Sequence, residues 1–269
     1  MKLRKYLYAI LAVSLLMFTA QSCFQDLGQN PPFDFPEQPP KPTVNEQGQI
    51  FHMSFEDNYT DSESGKAATV VGNPGYAEGR VGKAYAGATN SYLTFALSDM
   101  KESLTSEFTV AFWYKLNGVP DRAGLVVVGP VDEASPEKMN NRTSGFRIFR
   151  EGDASTQRVK GNVGNGTNDG WFDSPVGDIN SAAPVWKYVT LTCTDGTITL
   201  YIDGEVGTTD ADRTISWNDC DMMSIGSGAP RFTGWDHFSD LSLFDELRIY
   251  NRALTVDEIR EIIFIETPE

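Results

Sequence analysis

The dipeptide Asp-Gly occurs at 195–196 and again at 203–204, inside the run TLTCTDGTITLYIDGEVG that covers residues 190–207. Between alternating apolar residues this pair is a strong hairpin signal, because a two-residue primed turn needs positive φ at both central positions and glycine adopts it without steric cost. Taking Asp195 and Gly196 as the loop sets Thr194 opposite Thr197. Cys193 then faces Ile198, Leu191 faces Leu200 and Val189 faces Ile202, all on one side. Thr190 with Tyr201 and Thr192 with Thr199 occupy the other side, so a slip of one residue would drive the polar set into the core. The segment is an antiparallel hairpin, and its period of two excludes a helix.

The length of 269 residues is compatible with one large β domain or two smaller ones. Short apolar runs decide the class. QIFHMSF, SYLTF, EFTVAFWYKL, GLVVVG, GFRIFRE, WKYVTLTC, MMSIG and LFDELRIY are separated by Gly, Asn, Asp and Pro clusters, the pattern of an all-β sandwich or barrel. One helix is marked near the C-terminus. Thr255 caps it, Glu258 completes a capping box, and Leu254 and Ile259 form a hydrophobic staple. The polar stretch Val131 to Ser144 reads as a surface loop insertion.

Residues 1–46 are of another kind. Lys2, Arg4 and Lys5 precede an apolar run from Tyr6 to Ala20, and Ser22 stands before Cys23. This is a secretory signal over residues 1–22, since the run is shorter than the ~20 residues a membrane-spanning helix needs. The stretch LMFTAQSC resembles a lipobox, although Gln21 is looser than the usual small residue; the resemblance implies cleavage and lipid attachment at Cys23. Phe24, not Asp, follows the cysteine. By resemblance to Gram-negative lipoproteins this implies an outer-membrane lipoprotein, at the cell surface or the periplasmic face. Residues 23–46 hold six prolines with few apolar anchors and read as a tether to a folded domain at 47–269.

The formal net charge is −15, and losing the signal takes it to about −18. No positive field exists to draw a phosphate backbone, so nucleic acid is excluded as a partner, and membrane contact is expected only through the anchor at Cys23. Cys193 and Cys220 would remain. An oxidising compartment permits them to pair, while the register directs Cys193 inward, where a thiol packs as a small hydrophobe.

Four stretches occur in a telling order: SFEDNYTDSESG with GRVGKAYAG, then EFTVAFWYKL, then WKYVTLTCTDGTITLYIDGEVG, then FDELRIYNRALTVDEI. Together they make the chain from about residue 49 to 263 resemble the concanavalin A-like lectin/glucanase superfamily, in particular its bacterial laminin-G-like domains. The resemblance implies a two-sheet antiparallel jelly-roll sandwich with a short C-terminal helix. It also implies a structural calcium ion, carried over by position to Glu56 or its neighbour Asp57, Asn58, a backbone carbonyl near Gly87, and Asp245. Oxygen donors of this kind suit a hard cation.

Catalysis finds little support. Retaining glycoside hydrolysis needs two carboxyl groups ~5–5.5 Å apart, and the superfamily signatures Glu-x-Asp-x-x-Glu and Glu-x-Asp-x-Glu do not occur here. The two histidines, His52 and His237, come with no Gly-x-Ser-x-Gly elbow. His52 lies opposite Phe51, Met53 and Phe55 on its strand and reads as an exposed structural residue. Trp113 and Trp186 sit in strands and read as core. Trp171 in TNDGWFDS and Trp235 in RFTGWDHFSD stand among turn residues, where a wet indole has little structural reason to be, and Trp217 in ISWNDC is a weaker third. With His237 beside Trp235, these are the expected ligand contacts. The expectation is a lipid-anchored, calcium-stabilised, non-catalytic module for a glycan or polysaccharide. A protein-interaction or adhesion module with a surface-protein partner is the alternative, followed by a glycosidase with displaced carboxylates.

Overall fold

The computed structural model describes residues 42–268 apart from 195 and 212, and apart from the side chain of 101. The signal segment, Cys23 and nearly all of the tether lie outside the described residues. The described chain begins with β1 (Gln49–Met53), β2 (Thr69–Val71), β3 (Gly75–Glu78), β4 (Lys83–Ala86) and β5 (Tyr92–Ala96). It continues through β6 (Phe108–Lys115), β7 (Arg122–Pro130), β8 (Phe146–Gly152), β9 (Thr156–Gly164), β10 (Asp169–Phe172) and β11 (Asp178–Asn180). Then come β12 (Trp186–Thr194), β13 (Thr197–Ile202), β14 (Glu205–Asp210), β15 (Cys220–Ile225), β16 (Leu243–Tyr250) and the helix α1 (Val256–Ile265).

These strands form two antiparallel sheets. The first runs β14-β13-β12-β6-β16-β4-β3 with β1 also on β16, and the second runs β10-β9-β8-β7-β15-β5-β2 with β11 also on β9. The β12–β13 ladder has the register derived from the turn: Val189 pairs with Ile202, Leu191 with Leu200 and Cys193 with Ile198. All six are buried in the layer between the sheets with Phe51, Met53, Phe112 and Phe244. At the second Asp-Gly pair both residues have positive φ, Asp203 at 53° and Gly204 at 74°, as a primed turn requires.

Two smaller apolar clusters lie outside this layer. Under α1, on the outer face of the first sheet, Trp113, Tyr188 and Tyr250 pack against Leu254, Ile259 and Ile262. Trp113 is therefore buried beneath the helix and not between the sheets, while Trp186 is only half-buried. The capping box is present, with Thr255 Oγ1 accepting from the Glu258 amide and Glu258 Oε2 accepting from the Thr255 amide at 2.8 Å. His52, read as exposed, is mostly covered, its Nε2 lying 2.7 Å from Glu246 Oε2. Cys193 and Cys220 are two separate buried thiols with no disulfide between them. Burial pushes the Cys193 thiol up to about 11. The other small cluster, Val127, Phe149 and Phe232, lies on the outer face of the second sheet.

Candidate functional site

In GFRIFRE, a strand period of two turns Phe146 and Ile148 inward and Arg147, Phe149 and Glu151 outward. Register extends these outward residues into rows across the sheet. Val127, Arg147, Asn162 and Trp171 form one row, Gly124, Phe149 and Lys160 the next, and Arg122, Glu151, Arg158 and Asp178 the third. This face carries the candidate site.

Trp171 is 46% exposed at the end of its row. Its ring stands perpendicular to Phe149, with 5.6 Å between centroids and 88° between planes, and the Arg142 guanidinium lies over it, 4.9 Å from its centre. A half-exposed indole braced by an aromatic ring and a cation presents a defined apolar surface to solvent. Beneath it, Asn162 donates from Nδ2 to Asp169 Oδ2 at 2.7 Å, while Asn162 Oδ1 is buried with no hydrogen-bond partner.

From the register row beside that of Trp171 onward, a hollow of about 370 Å³ is lined by Arg122, Glu151, Arg158, Lys160 and Asp178. Its charges are mostly paired. Lys160 Nζ lies 3.1 Å from Glu151 and 3.0 Å from Asp173, and Arg158 bonds Asp173 at 2.9 Å and both oxygens of Asp178. The hydrogen bond from His237, helped by Lys160, outweighs burial and takes the Glu151 carboxyl down to about 2. Burial lowers the Lys160 pKa, but bonds to Asp173 and Glu151 more than offset it and the net shift is upward. A carboxyl as depressed as Glu151 holds no proton to donate near neutral pH, which removes it as a general acid.

Two loops wall this face. The loop from 226 to 242 is pinned by Asp240, whose carboxylate takes Arg150 Nη2 at 3.0 Å and the Tyr114 hydroxyl at 2.7 Å inside the sandwich. Arg150 thus faces inward while its neighbours Phe149 and Glu151 face the site. The insertion at 131–144 joins this loop through the Met139 carbonyl, which accepts from Thr233 and Gly234 at 2.8 and 3.1 Å. Arg147, buried on the sheet below, holds the Ser144 carbonyl at 2.8 Å, and burial brings its pKa down to about 10.

The structure separates the expected ligand contacts. Trp235 is 54% exposed, and its backbone carbonyl accepts from Arg122 Nη1 at 3.0 Å. Trp171 and Trp235 flank one aromatic run, since Phe149 touches Trp171 and also meets His237 at 4.8 Å, two residues from Trp235. His237 itself is 1% exposed, stacked on Phe232 at 4.5 Å and bonded to Glu151, so it supports the wall and presents nothing to solvent. Trp217 also has a packing role: its Nε1 donates to Thr105 O at 2.7 Å and its ring closes the core over Phe108 and Phe146. Sequence reasoning missed Arg122, Arg142, Phe149, Glu151 and Lys160. The available signal was Phe149, an apolar residue on the face that charged residues otherwise occupy.

The four positions carried over for calcium do not all meet. Asp245 is buried, its Oδ2 accepting from the amides of Arg80 and Val81 at 2.7 and 2.9 Å, while Oδ1 has no partner. Burial, against the bond from the Val81 amide, lifts this carboxyl to about 8. Glu56 reaches the same β3–β4 turn, with Oε1 accepting from the Lys83 amide at 2.9 Å. Asn58 turns both side-chain atoms to its own loop, to Glu56 O and the Thr60 amide. Gly87 stands apart: its N–H bonds to Ser242 O, three residues before Asp245 and so about 10 Å away along the strand. Asp245 and Glu56 suit a hard cation; the Gly87 carbonyl does not belong with them. Among the described residues no group of three or more His, Cys, Asp or Glu side chains is arranged to hold a metal.

A laminin G-like family model of the concanavalin A-like lectin/glucanases superfamily matches residues 87–260. Among curated proteins, none matches the sequence. Solved structures share the fold. Domain 4 of AbnA, a GH43 extracellular arabinanase from Geobacillus stearothermophilus in complex with arabinotriose, is 18% identical with a TM-score of 0.58, covering 80% of this chain and 97% of that one. The binding domain of Botulinum neurotoxin DC in complex with rat synaptotagmin II is 14% identical with a TM-score of 0.57. That match covers 82% of this chain and 52% of the toxin chain, so this chain spans about half of it. The binding domain of Paraclostridial Mosquitocidal Protein 1 is 18% identical with a TM-score of 0.53, covering 81% and 52% of the two chains.

Proposed function

The chain belongs to the concanavalin A-like lectin/glucanases superfamily, and from that premise we propose that its folded domain is a non-catalytic module that binds a glycan or polysaccharide. The observation that carries this reading is the half-exposed ring of Trp171, braced by Phe149 and Arg142 on the sheet face that also holds a polar hollow. Sugar rings stack their apolar faces on such an indole while their hydroxyls reach charged and amide groups at its rim. The depressed Glu151 and the ion-paired Asp173 and Asp178 suit hydrogen bonding to hydroxyls better than proton transfer. An arabinotriose-bound domain of the same fold supports the reading.

Lipid attachment at Cys23 would place the domain on the outer membrane, with residues 24–46 as the tether. Calcium, when bound, would be held by Asp245 and Glu56 at the β3–β4 turn and would supply the positive charge that lets a buried carboxylate ionise.

Retardation of the purified domain in native gels containing each of a panel of plant, fungal and bacterial polysaccharides tests the function. Slowed migration on at least one polymer, lost with Trp171→Ala, is the expected result; free migration on all of them would refute glycan binding. The second reading is a surface-protein partner, favoured by a neighbour of this fold that binds synaptotagmin. Co-purification of a stoichiometric protein without any glycan retardation would select it.

A further inference from the structure

Arg122 stands between two hollows, lining the one of about 370 Å³ beside Lys160 and another of about 480 Å³ beside Val119, Asp236 and Phe238. Lys160 and Arg158, which line the first with it, each pair with two carboxylates, whereas Arg122 makes no ion pair among the described residues. Among the described residues its guanidinium makes one hydrogen bond, from Nη1 to the Trp235 carbonyl at 3.0 Å. The acids that line these hollows with it do not neutralise it. Glu151, its register partner across β7 and β8, is taken by His237 and Lys160, and Asp236 lines the second hollow without bonding it. Phe238 and Val119, which line the second hollow with it, are 48% and 65% exposed, and Trp235, whose backbone carbonyl it bonds, is 54% exposed.

A guanidinium carries five N–H donors in a planar fork that matches a carboxylate with two parallel bonds. An unpaired fork within a rim of apolar side chains fits a ligand that has one apolar face and one carboxylate. We propose that the glycan is acidic, a polymer bearing uronic-acid or similar carboxylated sugars, with one carboxylate on Arg122 and its ring against Trp235. This inference rests on the glycan-binding reading and specifies its substrate class. The neutral part of the chain would extend along β8 and β9 toward Trp171.

The test is affinity electrophoresis and titration calorimetry with polygalacturonate and alginate, each compared with its own carboxyl-reduced, neutral form. Wild-type protein should bind an acidic polymer tighter than the reduced one by about tenfold, the difference a charge-assisted bond pair confers. Arg122→Gln should erase that preference, bringing the ratio of acidic to reduced affinity to about one. The wild-type comparison alone decides the matter if the variant does not fold. Equal binding of acidic and reduced polymers, or retention only on unrelated neutral glycans, overturns the acidic-sugar inference while glycan binding stands. No retention by any glycan overturns both.

Discussion

Nε2 of His237 lies 3.0 Å from Oε1 of Glu151, at the point where the loop that carries Trp235 meets strand β8. The contact fixes one wall of the candidate site and makes its integrity depend on an ionised carboxylate.

That dependence has a definite sign. Glu151 sits at about 2 in the folded protein against an ordinary 4.5, so its contribution to stability is complete above the unfolded value and is lost as pH falls from 4.5 through about 2. The melting temperature should fall more steeply across that window for the wild type than for Glu151→Gln. Parallel thermal scans by circular dichroism measure it, and superimposable acid limbs would show that the pair contributes nothing.

Replacing Trp171 with Ala should weaken glycan affinity about tenfold or more while costing only about 1 kcal/mol of stability, since the ring contributes one aromatic contact and one cation–π contact at the surface. Calorimetric titration beside a melting curve separates the two effects. Retained affinity in the variant would move the binding surface elsewhere.

Calcium should raise the melting temperature by about 5–10 °C at a concentration on the order of 100 times its Kd, because an ion that binds only the folded state stabilises by mass action. EDTA should reverse the gain, and Asp245→Asn should abolish it by removing the carboxylate whose Oδ1 has no protein partner. Scans identical with calcium and with EDTA in the wild type would reject the site.

Glu266 closes a different seam. It accepts from Trp113 Nε1 at 2.7 Å and pairs with Arg248 at 2.7 Å, holding the end of α1 onto the first sheet. Glu266→Ala should cost about 3 kcal/mol, the usual penalty for breaking a buried charged network, whereas Phe264→Ala, on the exposed side of the same helix, should stay within about 0.5 kcal/mol. Urea titrations should show a lower midpoint with an unchanged slope for the first variant only.

The parts that could be read in advance share a cause. Leu191 opposite Leu200 follows from a turn two residues long, and the Thr255–Glu258 box follows from a spacing of three. In each, the interacting groups are close in sequence, so local geometry fixes them. The separation of Gly87 from Asp245 could not be read in advance, because it is set by strand pairing between segments more than 150 residues apart. His237 and Trp235 show the same limit two residues apart: both stand in a turn-rich segment, yet Phe232, Phe149 and Glu151 close over one ring and leave the other wet.

The sequence by itself determined the class of fold, the hairpin register, the helix and its cap, because alternation, turn chemistry and capping act over a few residues. Only the tertiary structure decided which sheet face stays open, which tryptophans reach solvent and that Arg122 keeps no ion pair among the described residues. Those outcomes depend on how the 131–144 and 226–242 loops fold back over the second sheet, and no local spacing encodes contacts between segments so far apart in the chain.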